Sequence, residues 1–480
     1  MTGAQSSIKK NYFYNLTYQI LAILIPLVTT PYVSRVLGAQ GIGDYSYTTG
    51  IVSYFGILAA TGTVAFGQRE IARCQGDPRG RSIIFWSIFW FRLICTLLAL
   101  FCYIVFISLF LSEYRLLFCI NLLTVVSWVL DISWYFQGME QFRVTAVRNS
   151  LVKILGTILI FVFVRSSNDV WLYTLIFCAT NLVGNVSMWT YLRGEIDWVS
   201  IHIRDILSIL RPIMSLFLPV VAIQIYTVLN KTMLGGLASV KEVGYYTQAD
   251  KIIQLAITII SSLVTVLLPR ISHLYQEHGN SELNGLIQKS IDFINCLSLL
   301  FIAVCIGVSD LFVPIFFGPG FLAVIPLLYI LCPLFVILSF GQLFGNILVA
   351  TNHQRWYTKA VCASAVINLL LNIGLIPSLM SIGAAVATIV AELTATFIQA
   401  FCLRRQVDMS YLVKSFIKYA LPAAACFLAI AICRFIMMDT DSVISMFVSS
   451  LIGVAVYFVV LIIRNDSLIG IVLNKLRLNR

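Results

Sequence analysis

Long apolar runs dominate this sequence. About fourteen stretches of roughly 20 mostly apolar residues follow one another along the 480-residue chain, and an α-helix needs such a length to cross a bilayer. Only 11% of the residues are charged, against about 25% in soluble domains. The sequence therefore predicts an all-α polytopic membrane protein and excludes a water-soluble globular fold. The predicted spans are 11–36, 44–68, 83–111, 116–137, 145–164, 170–192, 208–234, 244–268, 291–311, 322–349, 360–377, 383–402, 415–437 and 443–463.

Basic residues are concentrated in alternate connectors between the predicted spans. With the N-terminus placed in the cytoplasm, about 24 of the 32 Lys and Arg residues fall in inner connectors and about five at outer ends. Membrane proteins carry such an excess on the cytoplasmic side, so we expect both termini to be cytoplasmic. The formal net charge of +11 is therefore an orientation signal, and we expect no nucleic-acid partner.

An internal repeat relates the two halves of the chain. Residues 35–52 resemble residues 231–253, and a Leu-Gly pair in each copy is followed by Gly43 in the first and Gly244 in the second. The second copy carries a few extra residues between these points. Six predicted helices separate the copies, so both copies have the same orientation in the membrane. Parallel repeats of this kind occur in transporters that bind substrate between their two halves.

The repeat predicts the domain organisation. An N-terminal six-helix lobe would occupy residues 1–206, and a second six-helix lobe would occupy residues 207–405. Residues 406–480 would then add two transmembrane helices and a cytoplasmic tail. We expect this to give a MATE-like arrangement of two parallel lobes.

Cations stand at related places in the two halves. Arg35 lies just before the first Leu-Gly pair and Lys231 just before the second, while Lys251 lies about two turns inside the following helix. One interpretation is a central cavity that binds a phosphate-bearing substrate through these cations, with Asp44 and Tyr246 as further substrate-binding residues. The alternatives are that the cations snorkel to the interface and that the tyrosine belongs to the aromatic belt.

Three further ionisable residues fall inside predicted spans, where a charge costs about 2.5–3.5 kcal/mol or more. Arg92 and Asp131 lie at similar depths on neighbouring helices, so they are either a buried ion pair or charges that line a cavity. Glu392 lies in the middle of its span. It is either an ion-coupling site or a structural carboxyl with local hydrogen bonds.

Motifs of catalysis and metal binding are missing from the sequence. It has no P-loop, no GxSxG turn and no HExxH helix. The twelve Cys residues stand singly and form no CxxC pair, which disfavours a disulfide framework or a zinc site. We therefore expect no catalytic residues, no metal and no cofactor, and we predict that the protein is not an enzyme.

Three stretches of the sequence resemble a known family. Residues 15–73, residues 230–252 (NKTMLGGLASVKEVGYYTQADKI) and residues 367–392 look like the Wzx-type oligosaccharide flippases. That family belongs to a superfamily with the lipid II flippases and the MATE drug exporters. The resemblance covers roughly residues 11–405. Asn230 stands where an Asp is common in the family, so the role of that Asp does not carry over to this chain.

The resemblance implies a transport function. The chain would flip undecaprenyl-diphosphate-linked oligosaccharide repeat units from the inner to the outer leaflet of a bacterial cytoplasmic (inner) membrane. It would do so by alternating access, for O-antigen, capsule or exopolysaccharide biosynthesis. Its partners would be the polyprenyl-diphosphate-linked oligosaccharide, the lipid bilayer and other polysaccharide assembly proteins. Arg35, Lys231 and Lys251 fit a cationic cavity of this kind.

Other functions compete with this interpretation. A MATE-type multidrug antiporter shares the expected fold but favours acidic or apolar cavity walls. A lipid II flippase is not separated from a repeat-unit flippase by sequence. A membrane polysaccharide polymerase usually needs a large outer loop, whereas every outer connector predicted here is short.

Overall fold

The computed structural model describes residues 2–60, 62–110, 113–277, 280–351, 353–404, 406–438, 440–466, 468 and 470. Within these ranges it describes no side chains for 2–16, 60, 110, 215–220, 222, 223, 225, 226, 262–277 and 280–283. All regular elements in the described part are helices. The prediction of an all-α membrane protein is confirmed.

Many of the described helices are long and apolar enough to span a membrane. Nine of them pass this test by length and composition within the described residues, and a tenth is added if the bent pair α11 and α12 counts as one span. The axes of that pair differ by 43°. The count of fourteen spans stays a prediction.

The chain divides into two compact units, residues 1–236 and 237–480. The boundary between these units lies one helix after the lobe boundary predicted at 206/207. The reason is that the end of helix α8 packs on helix α1, as described below. The predicted division into two lobes and a C-terminal addition stays a prediction. The α-helices of the first unit are α1 (Thr2–Ala60), α2 (Thr63–Arg73), α3 (Pro78–Phe110), α4 (Arg115–Leu130), α5 (Ser133–Gly138), α6 (Phe142–Phe163), α7 (Val170–Met188) and α8 (Ile203–Leu237).

Helix α1 is two rods joined at Gly38. The φ angle of Gly38 is +66°, which lies in the left-handed region where a side chain is strained. Residues 2–37 and 39–60 therefore form separate helical rods without an intervening loop. The two rods correspond to the first and second predicted spans.

An aromatic cluster fills part of the interior of the first unit. Trp134 stacks on Phe85 with ring centroids 5.5 Å apart. Gly67 of α2 makes room for the indole, because a Cβ at this position would lie 2.9 Å from Cδ2 of Trp134. Close packing of this kind ties α2 and α5 to α3.

The second unit contains seven further α-helices among its described residues. They are α9 (Val240–Glu277), α10 (Asn280–Phe316), α11 (Val324–Leu331), α12 (Leu334–Ala350), α13 (Gln354–Leu403), α14 (Met409–Ile436) and α15 (Ser442–Ile463).

Helix α13 is also two rods, joined at Met380. The φ angle of Met380 is +51°, an uncommon conformation for a residue with a side chain. Glu242 of α9 accepts hydrogen bonds from the hydroxyl and the amide of Ser381, the amide at 3.4 Å. A carboxylate at the start of the second rod is favoured by the helix dipole, so α9 stabilises the break.

Helices α14 and α15 pack on α10. The hydroxyl of Tyr457 on α15 donates to the carbonyl of Cys296 on α10 at 2.7 Å. Gly307 of α10 and Gly453 of α15 both lie against Ile430 of α14. The two helices predicted outside the repeat are therefore an integral part of the second unit.

Candidate functional site

The three cations predicted to bind substrate lie on three different helices. Arg35 is exposed on the first rod of α1, three residues before the break at Gly38. Lys231 is half-buried near the end of α8, and Lys251 is half-buried on α9. The first two cations belong to the first unit and the third to the second unit.

The end of α8 that carries Lys231 packs on the second rod of α1. The hydroxyls of Tyr54 and Thr232 form a hydrogen bond of 2.8 Å. Tyr47 lies over Gly235, where an added Cβ would meet Cε2 of the ring at 2.6 Å. Lys231 thus directly precedes a residue that is fixed against α1, which limits where its side chain can reach.

Asp44 lies on the second rod of α1 and is half-buried. Its Oδ1 accepts a hydrogen bond from Gln40 at 2.9 Å. Tyr114, in the connector before α4, packs edge-on against Tyr47 with centroids 5.9 Å apart. Burial, with the charges of Asp44 and Glu113, raises the pKa of Tyr114 to about 12. Two acidic groups therefore gather near this tyrosine.

Tyr246 is buried and joins two helices. Its phenol oxygen lies 2.9 Å from the hydroxyl oxygen of Thr388, on the second rod of α13. In the first copy of the repeat, Tyr45 makes ring contacts with Tyr173 and Phe177 of α7, at centroid distances of 4.8 and 5.6 Å. Corresponding tyrosines therefore pack on the sixth predicted helix of each half.

Arg92 and Asp131 meet through the main chain. Arg92 is 3% exposed and donates to the carbonyls of Asp131 at 2.8 Å and Trp128 at 2.6 Å. The carboxylate of Asp131 accepts from the amide of Ser133 at 2.9 Å. Both carbonyls lie at the C-terminus of α4, where a cation is favourable; the carbonyl of Trp128 also accepts from the amide of Asp131 at 3.4 Å. Arg92 therefore acts as a cap that joins α3 to α4.

Glu392 lies half-buried on the second rod of α13. Thr388, one turn before it, contacts Tyr246 of α9. Thr396, one turn after it, donates its hydroxyl to the carbonyl of Ile337 on α12 at 3.1 Å. Residues four apart share a helix face, so Glu392 lies on the packed face of this rod. Its role in ion coupling stays a prediction.

A charged cluster in the second unit was missed by the sequence prediction. Lys418 of α14 donates to Asp292 of α10 at 3.3 Å and to Asp466, after α15, at 2.6 Å. Both carboxylates are buried. Although burial opposes it, hydrogen bonds from Lys418 and the amide of Leu468 lower the pKa of Asp466. The sequence signal was available, because Asp292 and Lys418 fall inside the predicted spans 291–311 and 415–437.

Arg148 was counted among the inner connectors but lies between two helices. From α6 it donates to Asn185 and to the carbonyl of Asn181, at 3.3 Å, on α7. Gly184 leaves space for the guanidinium, since a Cβ there would lie 2.8 Å from Nε. Arg148 therefore ties α6 to α7.

Two family models match the chain. A model described as "Polysaccharide biosynthesis protein" matches residues 8–275, and one described as "Lipid II flippase MurJ" matches residues 171–452. Each match covers more than half of the chain. The chain belongs to the polysaccharide biosynthesis protein family, within the superfamily that includes the lipid II flippases.

Curated relatives carry transport names. The chain is 22% identical to the "Putative O-antigen transporter" of Escherichia coli (strain K12), over 84% of this chain and 98% of that protein. It is 24% identical to a protein of the same name from Shigella dysenteriae, over 57% and 70%. It is 26% identical to the "Probable low-salt glycan biosynthesis flippase Agl15" of Haloferax volcanii, over 39% of each chain.

Solved structures share the fold. A lipid II flippase MurJ, in an inward closed conformation, superimposes with a TM-score of 0.68 and 15% identity, covering 95% of this chain and 99% of that one. A multidrug resistance MATE family transporter gives a TM-score of 0.59 at 16% identity, over 82% and 99%. The family and the fold confirm the predicted MATE-like flippase class, and the chain is a membrane transporter rather than an enzyme.

Proposed function

We propose that this protein translocates polyprenyl-diphosphate-linked oligosaccharide repeat units across the cytoplasmic membrane for surface polysaccharide biosynthesis. The observation that carries this proposal is the match to the O-antigen transporter of Escherichia coli along 98% of that protein. The Haloferax flippase, which is named for glycan biosynthesis, supports the same class of substrate. The glycan would be an O-antigen, capsule or exopolysaccharide unit.

The diphosphate would be held by Arg35, Lys231 and Lys251. A phosphate group that leaves water for hydrocarbon loses its hydration, so fixed positive charge must replace it. Two of these side chains are half-buried, where charge-assisted hydrogen bonds are strongest. Asp44 would orient sugar hydroxyls, and Tyr246 would hold α9 against α13 so that Lys251 keeps its position.

The protein would lie in the bacterial inner membrane with both termini in the cytoplasm. The excess of Lys and Arg in the inner connectors supports this orientation. Alternating access of two lobes would carry the head group across, while the lipid tail remains in the bilayer. Glu392 is the proposed site for a coupling ion, and the other polysaccharide assembly proteins are proposed partners.

A second candidate is lipid II transport. The MurJ family model matches residues 171–452, and the MurJ structure gives a TM-score of 0.68. The two candidates differ in the sugar that is carried and share the diphosphate and the prenyl chain.

Deletion of the gene in its host tests the proposal. We expect lipid-linked repeat units to accumulate in the inner leaflet and surface polysaccharide to disappear, with peptidoglycan synthesis unchanged. Export should return when the intact chain is supplied on a plasmid. Loss of peptidoglycan synthesis would favour lipid II as the substrate. Deletion that causes neither lipid-linked repeat units nor lipid II to accumulate would contradict both candidates.

A further inference from the structure

A cavity of about 360 Å³ lies between α10, α12, the second rod of α13 and the start of α14. We call it the α13–α14 cavity. Its volume falls in the range of small-molecule sites, about 300–1,000 Å³. Most of its wall is aromatic or aliphatic, and the residues used below are Phe340, Phe344, Phe397, Ala400, Val413 and Phe416.

Two polar side chains, Asn295 and Thr396, lie in the wall, and both donate hydrogen bonds to other helices. Thr396 donates to the carbonyl of Ile337 at 3.1 Å. The amide nitrogen of Asn295 donates to the hydroxyl of Ser415 at 3.0 Å, and Asn295 is fully buried. The inner wall is formed by Phe340 and Phe344, whose rings are stacked 5.6 Å apart. The surface offered to an occupant is therefore hydrocarbon.

The mouth of the cavity opens on the outside of the second unit. Phe397 is 71% exposed and Phe416 is 42% exposed, and both lie in helices long and apolar enough to span the membrane. In such a helix an exposed apolar face lies against lipid tails. Alkyl chains of the bilayer are therefore the groups that can enter.

Exposed cations stand at one end of the cavity. Arg404 caps the end of α13 with its guanidinium 4.1 Å from the ring centroid of Phe401. Lys414 is exposed and directly follows Val413 of the cavity mouth. Between residues 404 and 418 the sequence has four basic residues against Asp408 alone. Basic residues beside a cleft between membrane helices attract anionic lipid head groups.

We propose that the α13–α14 cavity holds one acyl chain of an anionic membrane phospholipid, whose phosphate head group lies on Arg404 and Lys414. The apolar cavity would bury the acyl chain of the lipid, and the cations at its end would bind the phosphate head group of the same molecule. The lipid would lie at the membrane face that the distribution of Lys and Arg predicts to be cytoplasmic. The anionic lipids of that leaflet attract basic residues. Such a lipid would be a structural ligand of the second unit, separate from the transported substrate.

Native mass spectrometry of the purified full-length chain tests the proposal. The protein would be exchanged into detergent with phosphatidylglycerol or with phosphatidylcholine of the same acyl chains. Val413→Trp blocks the mouth at an exposed position, where folding should be retained, and Ala400→Phe fills the interior. Arg404→Gln and Lys414→Gln remove the charges. Arg193→Gln, at an exposed cation of the first unit, is the matched control.

We expect the intact chain to retain phosphatidylglycerol in preference to phosphatidylcholine. Val413→Trp should lower retention of both lipids, and each charge variant should lower retention of phosphatidylglycerol alone by about fivefold. Arg193→Gln should change neither. The proposal is overturned if Val413→Trp retains as much lipid as the intact chain, if the two lipids bind equally, or if an equimolar polyprenyl phosphate displaces the phospholipid. None of these readouts depends on glycan export, so a failure here leaves the proposed function standing.

Discussion

The phenol oxygen of Tyr246 lies 2.9 Å from the hydroxyl oxygen of Thr388. This contact joins α9, which carries Lys251, to the second rod of α13, which carries Glu392. The carboxylate of Glu242 joins the same two elements at Ser381. The helix with the proposed substrate cation is thus fixed to the helix with the proposed coupling site by two separate polar contacts.

Lys251 should be required for transport. We expect Lys251→Ala to lower glycan export by roughly tenfold or more, because hydrogen bonds to charged groups contribute about 1.5–3 kcal/mol. Lys251→Arg should restore part of the activity. Lys241→Ala removes an exposed cation at the start of the same helix and should have little effect. Equal export by the Lys251 and Lys241 variants, both folded, would remove Lys251 from the site.

Arg92 should contribute to stability through main-chain carbonyls. Arg92→Met removes the donor to the carbonyl of Asp131 and one of the two donors to the carbonyl of Trp128. We expect a loss of about 1–3 kcal/mol in the free energy of unfolding. Asp131→Asn keeps both carbonyls and should cost less than about 1 kcal/mol. Chemical denaturation in detergent would measure both. If Asp131→Asn proves as costly as Arg92→Met, the carboxylate rather than the main chain is the partner of Arg92.

Lys418 should stabilise the packing of α14 and α15 on α10. Lys418→Met leaves Asp292 and Asp466 buried without their cation, and breaking a fully buried pair costs about 3–5 kcal/mol. We expect a smaller loss, of about 2 kcal/mol, because Lys418 is 35% exposed. Lys289→Met, at an exposed lysine of α10, is the matched control and should leave the melting temperature unchanged. Equal melting temperatures for the two variants would contradict this role.

The same cluster should make stability depend on acid pH. The pKa of Asp466 is lowered in the folded protein, so its contribution is fully present above its ordinary pKa of about 3.9. The contribution is lost as the pH falls through the lower folded-state pKa. Melting temperatures of the intact chain and of Asp466→Asn should therefore converge below about pH 4. A difference between the two that stays constant down to the lowest pH would show that the ionised carboxylate contributes nothing.

Gly235 should be needed for close packing. A methyl group at Gly235 would meet the ring of Tyr47, whereas Gly236 has nothing within 4 Å. We expect Gly235→Ala to cost about 1–3 kcal/mol in unfolding free energy, and Gly236→Ala to change it by less than about 0.5 kcal/mol. Thermal unfolding of the two neighbouring variants is the measurement. Identical unfolding curves would show that the contact with Tyr47 is not tightly packed.

The internal repeat could be recognised from the sequence because its two copies share an apolar pattern and glycines at matching positions. In the alignment of the two copies, Gly38 corresponds to Gly235. The structure requires glycine at both positions, but for different reasons. Gly38 allows a left-handed backbone at a helix break, and Gly235 allows a close approach of Tyr47. Sequence alone does not distinguish these two causes.

Long-range polar contacts were harder to predict. Arg92 and Asp131 were matched by depth, yet the bond is made to a carbonyl, which every residue possesses and no sequence pattern marks. The positive-inside pattern places Lys418 among the basic residues of the inner connectors, which gives no reason to expect a buried partner. Its two carboxylates lie 126 and 48 residues away, so only the packing of α10, α14 and α15 brings them together.

Translocation by the purified protein tests the proposed function most directly. Proteoliposomes would carry a polyprenyl-diphosphate oligosaccharide with a fluorescent label on the sugar, and a membrane-impermeant quencher would report the fraction of label on the outer face. The intact chain should make nearly all of the label quenchable, and Lys251→Ala should slow this process strongly while Lys241→Ala does not. Folded protein that leaves the inner-leaflet label protected, as in protein-free liposomes, would contradict the proposed function.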